Sequence, residues 1–141
     1  FTGTRFSLAG RDKSMDDKVN ILLVDDHAVV RQGLRTFLEL QDDMAIAGEA
    51  ANGVEAIEQA RRAQPDIVLL DLMMPKLDGF GVIERLRANP ELRNIPIIVI
   101  SAKELTDDES KTLKESVAFV MKKQGFDGDL LKDEINSVVK K

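Results

Sequence analysis

Pro65-Asp66-Ile67-Val68-Leu69-Leu70-Asp71 is the stretch that decides the fold of this 141-residue chain. Its four consecutive apolar residues leave no polar face, as in a strand covered on both sides of a parallel sheet, and a carboxylate follows at once. The same pattern recurs on either side. Val19-Asn20-Ile21-Leu22-Leu23-Val24 runs into Asp25-Asp26, and Ile97-Ile98-Val99-Ile100 runs into Ser101. Two weaker runs, Ala45-Ile46-Ala47-Gly48 and Val117-Ala118-Phe119-Val120-Met121, bring the number of expected strands to five, the last ending at Lys122.

Between these runs the apolar residues fall three and four apart, which is helical spacing. Val30, Leu34, Phe37 and Leu38 mark one helix, Ile57 and Ala60 the next, and Phe80, Ile83 and Leu86 the third. Thr106-Asp107-Asp108-Glu109 has the form of a capping box, so a fourth helix is expected to start there. Leu113 is its only large apolar residue, so its anchoring is expected to be weak. A last helix, capped by Asp127, carries Leu131, Ile135 and Val138. Asn52-Gly53, Pro65, Asp78-Gly79 and Asn89-Pro90 mark the joints. Five βα units with right-handed crossovers predict an α/β fold, a doubly wound five-stranded parallel sheet in the flavodoxin-like order 2-1-3-4-5.

One domain is expected over residues 18–141, a size suited to a single core. Residues 1–17 show neither apolar period and read as a leader, linker or expression remnant, with Met15 a candidate native start. The formal net charge of -5 and the 32% charged content describe an acidic globule, with no electrostatic reason to bind nucleic acid directly. No apolar run reaches the roughly 20 residues that span a bilayer, and no secretion signal opens the chain, so a cytoplasmic location is expected. Zero cysteines exclude disulfides and thiolate metal sites. His27 is the only histidine, which removes a multi-histidine zinc site.

In a sheet of this kind ligands bind beyond the carboxyl ends of the strands. Asp25, Asp26, Asp71, Ser101 and Lys122 all sit there. Strands one and three are neighbours in the expected order, so three carboxylates meet at one edge and repel one another unless a cation intervenes. With oxygen ligands alone on offer, a hard ion such as magnesium suits the site. Asp71 could then attack a phosphoryl group to form an acyl phosphate, Lys122 could neutralise a phosphoryl oxygen, and the Ser101 hydroxyl could donate to another. Each residue also has an ordinary reading. An Asp or Ser after a strand often caps a helix, and a terminal Lys is often a solvated charge. Met73 and Met74 read as core plugs, although one backbone carbonyl there could reach the metal. His27 reads as a solvated loop or helix-start residue.

Taken together, Ile21-Leu22-Leu23-Val24-Asp25-Asp26-His27, Pro65 to Pro75 with Asp78-Gly79-Phe80, Ile97-Ile98-Val99-Ile100-Ser101-Ala102 and Phe119-Val120-Met121-Lys122 resemble the receiver domain of two-component response regulators, over residues 19–139. The resemblance implies that Asp71 is the phosphoacceptor and that Asp26 is a direct ligand of Mg2+, with Mn2+ as a substitute. Asp25 would then act largely through water, and the Met73 carbonyl would be a further ligand. It likewise implies Ser101 as the switch hydroxyl, Lys122 as the phosphate-binding lysine and Phe119 as the switch aromatic. The implied partners are a sensor histidine kinase or histidine phosphotransfer protein and an output domain or partner outside this chain, met as a monomer or a phosphorylation-dependent dimer. The surface that switches would be the helix after Thr106, the fifth strand and the last helix.

Two features depart from the family. Lys123 stands where proline commonly follows the lysine, so a trans bond is expected there. Ser101 to Thr106 is similar to receivers attached to hybrid sensor kinases, whereas the first half is similar to receivers that precede helix-turn-helix output domains. Competing readings are a receiver-like docking module without phosphotransfer and a phosphohydrolase with an Asp nucleophile. The second needs an acid-base carboxylate two residues after the nucleophile, where Met73 stands. Nucleotide binding ranks last, as neither a G-x-G-x-x-G turn nor a G-K-[ST] loop is found.

Overall fold

A computed structural model describes residues 18–139. The reading of residues 1–17, with Met15 as a start, lies outside the described residues. Five strands, β1 (Val19–Val24), β2 (Met44–Ala50), β3 (Ile67–Leu70), β4 (Ile97–Ser101) and β5 (Phe119–Lys122), alternate with five helices. The helices are α1 (Ala28–Glu39), α2 (Gly53–Ala63), α3 (Gly79–Ala88), α4 (Asp107–Ser116) and α5 (Gly128–Val139). All strand pairs are parallel and the order is β2-β1-β3-β4-β5, the doubly wound topology expected from the sequence.

Side chains alternate across each strand, so the sheet divides the core in two. Leu22, Val24, Val68, Leu70, Ile97 and Val99 face α2, α3 and α4, where Ala56, Ala60, Val82, Leu86 and Leu113 cover them. Ile21, Leu23, Ile67, Leu69, Ile98, Ile100 and Met121 face α1 and α5, against Leu38, Leu131 and Ile135. The central strands β1, β3 and β4 are buried on both faces, which explains their continuous apolar runs. Among the described residues no helix is long and apolar enough to cross a membrane.

Two of the expected joints, Asn52-Gly53 and Asp78-Gly79, are helix starts, while Asn89 closes α3 and Pro65 leads into β3. Asn52 accepts from the Glu55 amide, Asp78 from the Gly81 amide and Asp127 from the Leu130 amide. The capping box forms in both directions, Thr106 Oγ1 accepting from the Glu109 amide at 3.1 Å and Glu109 from the Thr106 amide at 3.0 Å. The limits of β2 and β5 differ from the sequence reading. β2 extends to Met44 and Ala50, and β5 starts at Phe119 instead of Val117, because the Val117 amide still donates to the Leu113 carbonyl at the end of α4.

The loop between β3 and α3 is pinned by close backbone approach. A Cβ at Gly53 would lie 2.0 Å from the Leu77 carbonyl oxygen, and one at Gly79 would lie 2.7 Å from the Asp71 carbonyl oxygen. α4 is held far less closely, with Leu113 its only buried residue. Arg87 of α3 secures its far end by donating to the Ser116 carbonyl at 2.6 Å, and to those of Arg93 and Ile95 at 2.8 and 2.9 Å. Leu113→Ala is expected to cost about 2–5 kcal/mol in chemical denaturation, with amide exchange rising first in residues 107–116, since one side chain supplies most of the helix's apolar attachment.

Candidate functional site

Asp25 and Asp71 follow directly on β1 and β3, their amides donating to the Ala50 and Val24 carbonyls at 3.0 and 2.9 Å. The ladder thus extends one residue past each strand and carries both carboxylates into a buried position, with residues 4% and 2% exposed. Ligand atoms of Asp25, Asp26, His27 and Asp71 all lie within 4.8 Å of one another. The Asp26 side chain is 31% exposed and forms the outer wall. A cleft of about 620 Å³ opens beside it, lined among others by Asp26, Met73, Met74, Lys103 and Glu109.

Backbone groups hold this geometry. Asp25 Oδ1 accepts from the His27 amide at 2.8 Å, and Asp71 Oδ1 accepts from the Met73 amide at 3.3 Å. Arg31 of α1 donates to the Asp25 backbone carbonyl at 2.6 Å and through Nε to Glu49 at 2.9 Å, while Arg35 also pairs with Glu49. The acidic turn is therefore strapped to both α1 and β2.

Ser101 is 4% exposed at the end of β4, and its Oγ accepts from the Lys103 amide at 3.2 Å. That leaves its hydroxyl proton free to be donated elsewhere. Phe119 is half-buried and packs against the α1/α5 side of the core. His27 occupies the N-cap position of α1, 60% exposed as a helix-start residue, yet its Nδ1 also lies 3.1 Å from Asp25 and 3.2 Å from Asp26. The reading of both methionines as core plugs holds only for Met74, which packs against the core. Met73 is 54% exposed, because its backbone turns back over Asp71 and its side chain leaves the core.

The lysines differ most from expectation. Lys122 does not reach the carboxylates: its Nζ lies 3.2 Å from Glu104, and its side chain is 54% exposed. Lys123 enters instead, with Nζ 2.9 Å from Asp25 Oδ2 and 3.3 Å from Asp71 Oδ2. Strand alternation is the reason. Lys123 shares its side of the strand with Met121 and Phe119, which face α1 and α5, whereas Lys122 points to the other side. Among the described residues no peptide bond is cis, so the bond between the two lysines is trans as expected.

Burial lowers the Lys123 pKa, but the hydrogen bond and charge of Asp25, with the charge of Asp71, outweigh it and hold the ammonium above its ordinary value. One ammonium among three carboxylates leaves the pocket with negative charge in excess. The excess matches a divalent cation, and the donors are hard oxygens with one imidazole at the rim, a set that suits Mg2+ or Mn2+. Sequence reasoning missed Lys123 and Arg31. Period-two counting along the fifth run would have placed Lys123 on the side of Met121.

Residues 21–136 match the family model of the response regulator receiver domain. The chain is 38% identical over 113 residues to the transcriptional regulatory protein YdfI of Bacillus subtilis, covering 80% of this chain and 47% of that protein. To the nitrate/nitrite response regulator protein NarL of Escherichia coli it is 35% identical over 120 residues, covering 85% of this chain and 50% of that one. The chain thus spans about half the length of these relatives. Among solved structures, the signal receiver domain of the putative response regulator NarL from Mycobacterium tuberculosis superposes with a TM-score of 0.76 at 29% identity, covering 86% of this chain and 97% of that chain. A buried acidic pocket at the switch point of a 2-1-3-4-5 sheet, matched over nearly the whole described chain by the family model, shows that this protein belongs to the response regulator receiver domain family of two-component signalling.

Proposed function

We propose that this receiver domain accepts a phosphoryl group on Asp71 from the phosphohistidine of a sensor histidine kinase or histidine phosphotransfer protein. The observation that carries the reading is the position of Asp71. Its carboxylate is buried beside two other carboxylates and an ammonium, and Asp26 of that group lines an open cleft. In the transfer an Asp71 oxygen forms a bond to phosphorus as the phosphorus–nitrogen bond of the donor breaks, and the imidazole leaves with the electron pair. Asp25, Asp26, Asp71 and the Met73 carbonyl would hold Mg2+, which when bound neutralises phosphoryl oxygens. Ser101 donates its hydroxyl proton to the new acyl phosphate.

That movement of Ser101 draws the β4–α4 loop inward, and Phe119 changes orientation on β5. The thin attachment of α4 lets the α4/β5/α5 surface change its partner affinity at small energetic cost. The domain acts on itself alone, assisting its own phosphorylation and dephosphorylation without turning over an external substrate. The hydrolase reading lacks its acid-base carboxylate, since position 73 offers an exposed thioether. An output domain or partner outside this chain would read the change, in the cytoplasm, with the receiver a monomer or a phosphorylation-dependent dimer that does not itself contact nucleic acid.

Two outcomes test this reading. Intact-mass measurement after incubation with acetyl phosphate and Mg2+ is expected to show one phosphoryl group on the wild-type chain and none on Asp71→Asn; equal labelling of both would refute the acceptor. Asp26→Asn is expected to weaken Mg2+ binding about tenfold or more, a loss of at least about 1.4 kcal/mol. Removing a like charge should at the same time raise the melting temperature in a chelator. With no Trp or Tyr in the chain, binding is best followed by NMR or calorimetry. Unchanged affinity would remove Asp26 from the ligand set.

A further inference from the structure

We propose that Lys123, rather than the lysine one position earlier that the family motif designates, is the cation that binds the phosphoryl group on Asp71. The inference rests on Asp71 being the acceptor. Adjacent residues of an extended segment project to opposite sides, so only one of the two lysines can face the pocket at a time. Asp25, Asp71 and Lys123 each lie an even number of residues from side chains in the α1/α5 half of the core, namely Leu23, Leu69 and Met121. The Lys123 amide donates to the Ser101 carbonyl at 3.1 Å, which continues the β4–β5 ladder and fixes that orientation.

Lys122 stands opposite Ser101 in register, with its side chain turned to Glu104. Its ammonium is largely solvated there. The Lys123 stem, by contrast, lies along an apolar groove with Val30, Leu34, Ile100 and Phe126, and its side chain is only 18% exposed. A partly desolvated ammonium bonded to the acceptor carboxylate already stands beside the place where charge gathers on the phosphoryl oxygens. As an Asp71 oxygen bonds to phosphorus and the donor's oxygen or nitrogen departs with its electron pair, the Lys123 ammonium exchanges its contact with Asp71 for one with a phosphoryl oxygen. Its proton stays on nitrogen throughout.

The test compares Lys122→Gln and Lys123→Gln with wild type and Asp71→Asn, using acetyl phosphate and saturating Mg2+ and reading initial phosphorylation rates by intact mass. Lys123→Gln is expected to slow phosphorylation about a hundredfold, the usual effect of removing one preorganised donor, while Lys122→Gln stays at the wild-type rate. A calorimetric Mg2+ titration supplies a readout that a merely structural lysine would not move. Lys123→Gln should bind the ion more tightly than wild type, because an ammonium no longer competes for Asp25 and Asp71, and Lys122→Gln should bind it equally.

Slowing by Lys122→Gln, alone or to the same degree as Lys123→Gln, overturns the assignment, as does an unchanged rate in Lys123→Gln. Lys122 is exposed, so its variant folds and decides the matter even where the other does not. If wild type takes no label, or Asp71→Asn keeps it, the acceptor reading fails and this inference fails with it. If Asp71→Asn is silent and only the lysine pattern is reversed, the acceptor stands and Lys123 alone is rejected.

Discussion

Everything in this structure turns on the gathering of three carboxylates at one end of a sheet. Asp25 and Asp71 are carried there by hydrogen bonds that prolong β1 and β3, and Asp26 follows as the next residue. Two of the three are buried, so their repulsion is poorly screened by water, and the fold has to supply compensation. It does so incompletely. Lys123 reaches Asp25 and Asp71, and backbone amides of His27 and Met73 donate to them, but the negative charge remains in excess. A site left in that condition suits a divalent cation, which is the chemistry that the proposed phosphoryl transfer to Asp71 would use.

The rest of the molecule divides into parts that hold this arrangement and parts that are free to respond to it. Gly53 and Gly79 let the β3–α3 loop sit against two helix starts, so the Asp71 backbone has little freedom. Arg31 ties the Asp25 carbonyl to Glu49 across the edge of the sheet. On the other side, α4 is attached by Leu113 and by the Arg87 bonds to its last carbonyl. Rigidity at β1 and β3 with looseness at α4 is the distribution that the proposed switch requires, because a small change at Ser101 would pass to an element held by few buried contacts.

Most of this was legible in the sequence. Continuous apolar runs identify the buried strands, and their termination in Asp, Asp and Ser locates the pocket. Thr106 and Glu109 announced the start of α4 and its poor apolar content announced its looseness. What the residue pattern left conditional was the direction of side chains beyond a strand end. Lys122 and Lys123 are chemically identical, and the choice between them depends on whether β5 keeps its alternation for one more residue. Met73 escaped for a related reason: a thioether suggests a core position, yet the hydrogen bond from its amide to Asp71 turns its side chain outward. Arg31 was hidden because its partner Glu49 lies on β2, and sequence spacing carries no sign of a contact between a helix and an edge strand.

The most direct measurement of the central claim is chemical trapping of the acyl phosphate. After exposure to acetyl phosphate with Mg2+, borohydride reduction converts a phosphorylated aspartate to homoserine, and peptide mass spectrometry locates the changed residue. Homoserine at position 71 alone, and only when the divalent ion is present, is the result this account requires. Homoserine at position 25 or 26, or none under conditions where the ion binds, would contradict it.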